Sequence, residues 1–407
     1  APAIGLARDG YPLIEFNVEE IQGVGPELRG HPKLYPEWAR VYTNGTGTVA
    51  PGFVLKQPDL AGTLEALAAE GPGLLYGGAL GEKLVTRLAE LGGCLTMDDL
   101  LAVKPHWTDP LSVSYRGRTV HMPPPPCESF QFALTLRILE GFDLGKLGRN
   151  SVQHVDTVLR AIRLAAGVRI ANSVPSPQKL AELLSDSHVE GLRRRVRDGK
   201  PVTGPTEQWM ADQGTSDAAA GESHTTSFSI ADRDGNLICV TQSLGSVFGA
   251  GIVVPGTGVS LNNFLYWADV NPKSPNRVTP GGALPICMAP SIVTEDDKPV
   301  LALGTPGSYG ILQTQPQALV QYLDFGLPLQ QAIEAPRGRL TDGAAVLLES
   351  RIEPAVQAEL RKRGHDVTNG PDWTMKVGGM QGVAVDPATG SFIGGCDPRR
   401  DGYCVPA

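Results

Sequence analysis

Apolar and polar positions follow two different periods along this chain, and the change between them falls near residue 225. Upstream, "GEKLVTRLAELGGCLTMDDLLAVKP" carries apolar residues at helical spacing, then a Gly-Gly stop, then Thr96 as an N-cap with two acids in the next turn. "CESFQFALTLRILEGF" and "SVQHVDTVLRAIRLAAGVRIANS" repeat the amphipathic pattern and predict two core-packing helices. His154, alone within the second, reads as structural. "HMPPPPCESF" predicts an extended polyproline segment leading into its helix. From 201 to 224 the pattern dissolves into "PVTGPTEQWMADQGTSDAAAGESH", a linker candidate.

Strand periodicity follows. "TTSFSIAD" and "NLICVTQSL" flank "RDG", and Asp234-Gly235 suits the positive backbone angles of a hairpin turn. "GSVFGAGIVVPGTGVSLNNF" predicts glycine-punctuated strands and "PSIVTEDDKPVLALGTPGSYG" a further hairpin. "ILQTQPQALVQYLDF" predicts a helix that starts against the Gly-rich "GTPGSYG". Free N–H groups at such a helix start suit an anion or an oxyanion. The fold class expected is α+β.

At 407 residues and 41% hydrophobic content the chain can bury a sizeable core. Its 49 glycines and 34 prolines favour turns and loops over a helical bundle. A net charge of -8 argues against nucleic-acid or anionic-membrane partners. The basic run "LRRRVRDGK" at 192–200 reads as a solvated helix face. Cys94, Cys127, Cys239, Cys287, Cys396 and Cys404 form no CxxC pair and no cluster with histidine, so free thiols are expected, with Cys396–Cys404 a bridge candidate in an oxidising compartment. No metal or organic cofactor is expected. There is no apolar run of about 18 residues or more, and no leader is read in the opening "APAIGLARDGYPLIEFNVEEIQ", which resembles the middle of a domain. A cytoplasmic location is the expectation, with a periplasmic or secreted one as the alternative.

Two adjacent threonines open the strand after the linker. Ordinary β-propensity accounts for them; so does a chemical role. A threonine at a new chain terminus has an α-amino group of pKa about 7.7–8, able to act as base toward its own hydroxyl. To create that terminus, Thr225 Oγ attacks the carbonyl of His224 in an N-to-O acyl shift, for which an accessible linker is suited. Backbone N–H groups of Gly307 and Ser308 in "TPGSYG" can serve the tetrahedral oxyanion.

The run "TTSFSIADRDGN", with "FGAGIVVPGTGVSLNN", "TPGSYGILQTQPQALVQYLDFGLPLQQAIEAPRGRL", "GGCDPRRDGY" and the upstream "PPPPCESFQFALTLRILEGFDL", resembles the gamma-glutamyltranspeptidase family of N-terminal nucleophile hydrolases. The matching stretches cover nearly the whole chain in the family's order. The resemblance implies a four-layer αββα sandwich made from an autocleaved precursor. Residues 1–224 would be the large-subunit portion and 225–407 the small catalytic subunit, the two staying associated, with a homodimer of such heterodimers as the expected assembly. By resemblance Thr225 is the nucleophile, followed by Thr226 as in the family. Ser243 stands where the family has a threonine supporting the nucleophile. Gly307 and Ser308 stand at the Gly-Gly oxyanion hole, and Tyr309 joins the substrate-binding positions.

Departures from the family concentrate in the substrate pocket. Gly245 replaces an asparagine, Phe264 and Trp267 fall where glutamine and aspartate are expected, and Ile286 and Cys287 replace two serines. An amino group and a carboxylate on the substrate would both lose partners, which shifts specificity by orders of magnitude. The family's N-terminal portion, with its carboxylate-binding arginine, has no counterpart in this sequence. The expected function is an autoprocessed amide hydrolase or acyltransferase working through a Thr225 ester on a small non-glutamyl acyl compound, in the manner of oxamate amidohydrolases or cephalosporin acylases. The alternatives are ordinary γ-glutamyl hydrolysis or transfer on a glutathione-type substrate, a C–C bond-cleaving homologue, and an inactive scaffold.

Overall fold

The computed structural model describes residues 2–29, 34–207, 225–274 and 276–406. His224, and the linker from 208 onward, lie outside the described residues. The chain divides into two compact units.

One unit comprises the described residues up to Trp107 together with Leu244–Phe264. It is built from short helices, including Pro36–Thr43, Pro58–Glu70 and Ala79–Glu90, and a small antiparallel pair, β1 (Tyr11–Pro12) and β2 (Val54–Leu55). The Gly-Gly stop and Thr96 cap are present: Thr96 and Asp99 form a reciprocal capping box at the start of Met97–Ala102. Leu13, Val18, Ile21, Trp38, Val49 and Leu55 make the core, against which Phe248 packs edge-on to Trp38 at 5.3 Å. The stretch expected as glycine-punctuated strands contains among its described residues only an isolated bridge, Val253 with Ser260. Its backbone is spent on turns rather than a ladder, with Gly249, Gly251, Gly256 and Gly258 all at positive φ.

The other unit holds Thr108–Ser243 and the described residues from Leu265 onward. Its main sheet has β3 (Leu111–Tyr115), β4 (Arg118–Met122), β7 (Ser291–Glu295), β8 (Lys298–Gly304), β12 (Gln381–Val385) and β13 (Phe392–Cys396), in the order β13-β12-β8-β7-β4-β3, each neighbour antiparallel. The hairpin of β5 (Thr225–Ala231) and β6 (Leu237–Ser243) is separate. A third sheet joins β9 (Gly338–Leu340), β10 (Ala345–Glu349) and β11 (Asp366–Gly370). Helix Phe130–Leu139 is apolar nearly all round and correspondingly buried, packed beside Val152–Ala171 and Ile311–Leu323. The basic run at 192–200 lies on and just after helix Asp186–Arg197, with Arg194, Arg195 and Arg197 exposed. Together these elements make an α+β fold.

A buried ionic cluster ties Val152–Ala171 to the segment after helix Pro354–Lys362. Asp156 accepts from Arg160 Nε at 2.7 Å and Arg363 Nη1 at 3.1 Å, and His365 Nε2 lies 2.7 Å from its Oδ1. Burial raises the Asp156 pKa, but the hydrogen bonds from His365, Arg160 and Arg363 and the Arg160 charge outweigh it and hold the carboxyl below its usual value. Its stabilising contribution is therefore complete above the unfolded value of about 3.9 and drains away as pH falls through the folded pKa. Asp156→Asn leaves two arginines short of an anion, so a loss of roughly 3–5 kcal/mol at pH 7 and a shallower decline in acid are expected. Thermal unfolding from pH 3 to 8 checks this: an Asn variant matching wild type in both level and slope contradicts it.

Candidate functional site

Strand periodicity places Thr225, Ser227 and Ser229 on one face of β5 and Phe228 and Ile230 on the other. Thr225 and Ser227 are buried, whereas Ile230 is 52% exposed. The inner face lies on β8 and β12. Ser229 Oγ donates to the Gln381 carbonyl at 3.4 Å, and a Cβ on Gly304 would stand 2.3 Å from Ser227 Oγ. Gly304 thus lets the hairpin close onto the sheet, as only a residue without a side chain can. Within the hairpin Thr225 pairs with Ser243, so the two hydroxyl residues are direct cross-strand neighbours.

From Gly304 the chain enters the turn Thr305–Ser308. Gly307 has φ 130° and Ser308 φ 55°, and Gly310 N–H closes the turn onto the Gly307 carbonyl at 3.0 Å. Thr305 Oγ1 accepts from Gly379 N–H at 3.1 Å and donates to the Pro306 carbonyl at 2.9 Å, which braces the turn from below. As at any helix start, the leading N–H groups have no intrahelical acceptor. Neither the Gly307 nor the Ser308 N–H donates to an acceptor among the described residues. Ser308 is a left-handed residue without the freedom of glycine, a strained conformation of the kind found at functional turns.

The next residue, Tyr309, is buried and stacks on Trp267, with ring centroids 5.7 Å apart and planes 27° apart. Ile286 is tied to the segment before Phe130–Leu139: Glu128 N–H donates to its carbonyl at 2.7 Å and its own N–H donates to Pro126 at 3.1 Å. Cys287 is fully buried, and burial, then the Glu128 carboxylate, push its thiol well above the ordinary range, so it stays a neutral thiol. Burial, then Glu128, likewise keep the Tyr309 phenol protonated.

The family described as gamma-glutamyltranspeptidase matches this chain over residues 1–407. The chain belongs to the gamma-glutamyltranspeptidase family. It resembles the Acylase ACY 1 proenzyme of Pseudomonas sp. (strain SE83), 34% identical, the match covering 99% of this chain and 70% of that protein. The Glutathione hydrolase proenzyme of Bacillus subtilis (strain 168) is 28% identical over 99% of this chain and 70% of its own. Among solved structures, cephalosporin acylase from Bacillus halodurans superposes with a TM-score of 0.88 at 27% identity, covering 99% of this chain and 73% of that one. This member of the gamma-glutamyltranspeptidase family is therefore an enzyme of the N-terminal nucleophile class, a hydrolase or acyltransferase.

At Gly245, one of the departures expected in the pocket, the backbone itself calls for glycine. Gly245 has φ 94°, and a Cβ there would lie 2.2 Å from Asn263 Oδ1, so the loop admits glycine in preference to a side chain. Asn263 holds that loop by accepting from Ser246 N–H at 2.9 Å and donating to Ser246 Oγ at 2.8 Å. Gly245 and Phe264 belong to the first compact unit; Thr225, Ser243, Trp267, Ile286, Cys287, Gly307, Ser308 and Tyr309 all belong to the second. His154 is structural, as its isolation suggests: its Nδ1 accepts from Asn150 N–H at 3.1 Å, and burial lowers its pKa to about 4. It lines a cavity of about 20 Å³ with Gln317 and Gln321, room for about one water. All six cysteines are free, and no group of three or more His, Cys, Asp or Glu among the described residues is placed to hold a metal ion. Among the described residues no helix is long and apolar enough to cross a membrane.

What sequence reasoning missed is the charged cluster beside Tyr309. Arg169, wholly buried on Val152–Ala171, donates to Glu128 Oε1 at 2.9 Å, Gln131 Oε1 at 2.7 Å and the Thr206 carbonyl at 2.6 Å. A signal was present: Arg169 falls on the same helix face as Ile162, Ala165 and Ala166, all buried, where an apolar residue is expected.

Proposed function

We propose that this protein is a self-processed acylase that takes the acyl group of a small non-glutamyl amide through an ester on Thr225 and delivers it to water or an amine. Once the 224–225 bond is cut, the freed α-amino group accepts the Thr225 hydroxyl proton as Oγ attacks the substrate carbonyl. The Gly307 and Ser308 N–H groups receive the oxyanion, and Ser243 orients Oγ, a role that its pairing with Thr225 across the hairpin supports. Collapse expels the amine, which leaves with the proton held by the α-amino group. Water then attacks the ester by the reverse relay, releasing the acid and restoring Thr225.

The large portion 1–224 and the small portion 225–407 stay associated in this reading, in a four-layer αββα sandwich that pairs into a homodimer of heterodimers. The main sheet supports the association, because β4 from before the cleavage point is hydrogen-bonded to β7 from after it.

The observation that carries the substrate class is Trp267, buried and stacked on the residue that follows the oxyanion turn. An indole supplies no carboxylate for an α-ammonium. A γ-glutamyl donor would be stripped of water there without an anion, at a cost of roughly several kcal/mol. The acylase names of two relatives support a different acyl group; the glutathione hydrolase relative supports the ordinary reading. The test compares kcat/KM for a glutaryl amide and the matching γ-glutamyl amide. The glutaryl compound is expected to be better by about 10-fold or more, and Trp267→Asp to narrow the gap by restoring a carboxylate. Efficient γ-glutamyl turnover with no advantage for the des-amino compound returns the enzyme to ordinary transpeptidase function.

A further inference from the structure

We infer that Arg169 is a positioning residue for the oxyanion turn, acting through the ring of Tyr309; this rests on the assignment of Gly307 and Ser308 proposed above. Three fixed acceptors, Glu128 Oε1, Gln131 Oε1 and the Thr206 carbonyl, hold the guanidinium plane in one orientation. Its carbon lies 4.3 Å from the centroid of the Tyr309 ring, which also stacks on Trp267. Tyr309 is covalently next to Ser308, so a ring that cannot shift fixes one end of a turn whose two preceding residues both sit at positive φ. An oxyanion donor misplaced by about 1 Å loses most of its benefit, so such a turn needs a rigid support.

The cluster is a poor choice for stability alone. Glu128 Oε2 and Gln131 Nε2 are buried without a hydrogen-bond partner among the described residues, and a buried ion pair of this kind is commonly matched or surpassed by apolar packing. The paired Glu128 carboxylate offsets the charge on Arg169. What the arginine adds is a flat, rigidly held cationic face for an aromatic ring, which a lysine does not reproduce.

The test measures kcat and KM separately for Arg169→Lys, Tyr309→Phe and Tyr309→Leu, in protein shown to be cleaved and folded by mass and thermal unfolding. Positioning predicts that kcat falls by about 10-fold or more in Tyr309→Leu and in Arg169→Lys, with KM within about 3-fold of wild type. It also predicts that Tyr309→Phe, which keeps the ring, retains at least about 10-fold higher kcat than Tyr309→Leu. A loss expressed in KM alone makes Tyr309 a plain substrate contact and overturns the inference, as does a leucine variant with unchanged kcat. If Arg169→Lys does not fold, the Tyr309 pair decides. Should Gly307→Pro lower kcat while Tyr309→Leu does not, only this inference fails; should neither do so, the oxyanion assignment fails with it.

Discussion

Thr225→Ala is expected to stay one unsplit polypeptide under conditions in which wild type is expected to split into two, and its turnover of the acyl amide to fall by at least ~10³-fold. In the proposed mechanism both losses have one cause: the same Oγ that opens the chain at His224 later attacks the substrate. Thr225→Ser keeps a hydroxyl and still splits, more slowly, because the methyl that helps fix the side-chain rotamer is gone. Denaturing mass analysis after long incubation checks the first claim and steady-state kinetics the second. Normal splitting with alanine at 225 removes the self-cleavage mechanism.

The second large effect belongs to Gly307. Proline there removes a backbone donor and demands φ near -65°, whereas Gly307 has φ 130°. If that N–H faces the intermediate, kcat falls by about 10²-fold or more. Gly307→Ala separates the two causes, since it shares the conformational conflict and keeps the N–H; a Cβ there would meet Gly378 Cα at 3.4 Å, ordinary contact. The alanine variant is expected to lose less than the proline variant. Equal turnover by a folded, processed proline variant and by wild type places the oxyanion elsewhere.

Local chemistry made the β5–β6 hairpin legible. Asp232 accepts from the N–H groups of Asp234 and Asn236, and Gly235 takes φ 84°, so the turn is specified within its own few residues. The helices 79–90, 130–139 and 152–171 were legible because their apolar spacing is contiguous in sequence. The β3–β4 hairpin was not. Its turn puts Arg116 at φ 53° beside Gly117 at φ 76°, and Arg-Gly signals such a turn more weakly than Asp-Gly does. Arg116 is held there by Asp324 at 2.7 Å, 208 positions away, and by Glu140 through its backbone N–H at 3.0 Å.

Residues 245–264 failed for the opposite reason. Alternating apolar residues and glycines look like strands, but Phe248 is drawn into an aromatic cluster with Trp38 and Tyr42, and Asn263 fixes the loop around Gly245. Within the candidate site, the threonine, the serine opposite it and the Gly-rich turn could be singled out by residue type. Arg169 and Glu128 do not, because a buried charge shows its purpose only through partners that the fold brings together.

The most direct test of the account is to catch the ester. The enzyme is quenched in acid during turnover of a glutaryl amide, digested after arginine and lysine, and mass-mapped. The account predicts a new N-terminal peptide running from Thr225 to Arg233, part of it heavier by one acyl group located on Thr225. An acyl group on any other residue, or a small chain that begins elsewhere than Thr225 in enzyme that is turning over, contradicts it.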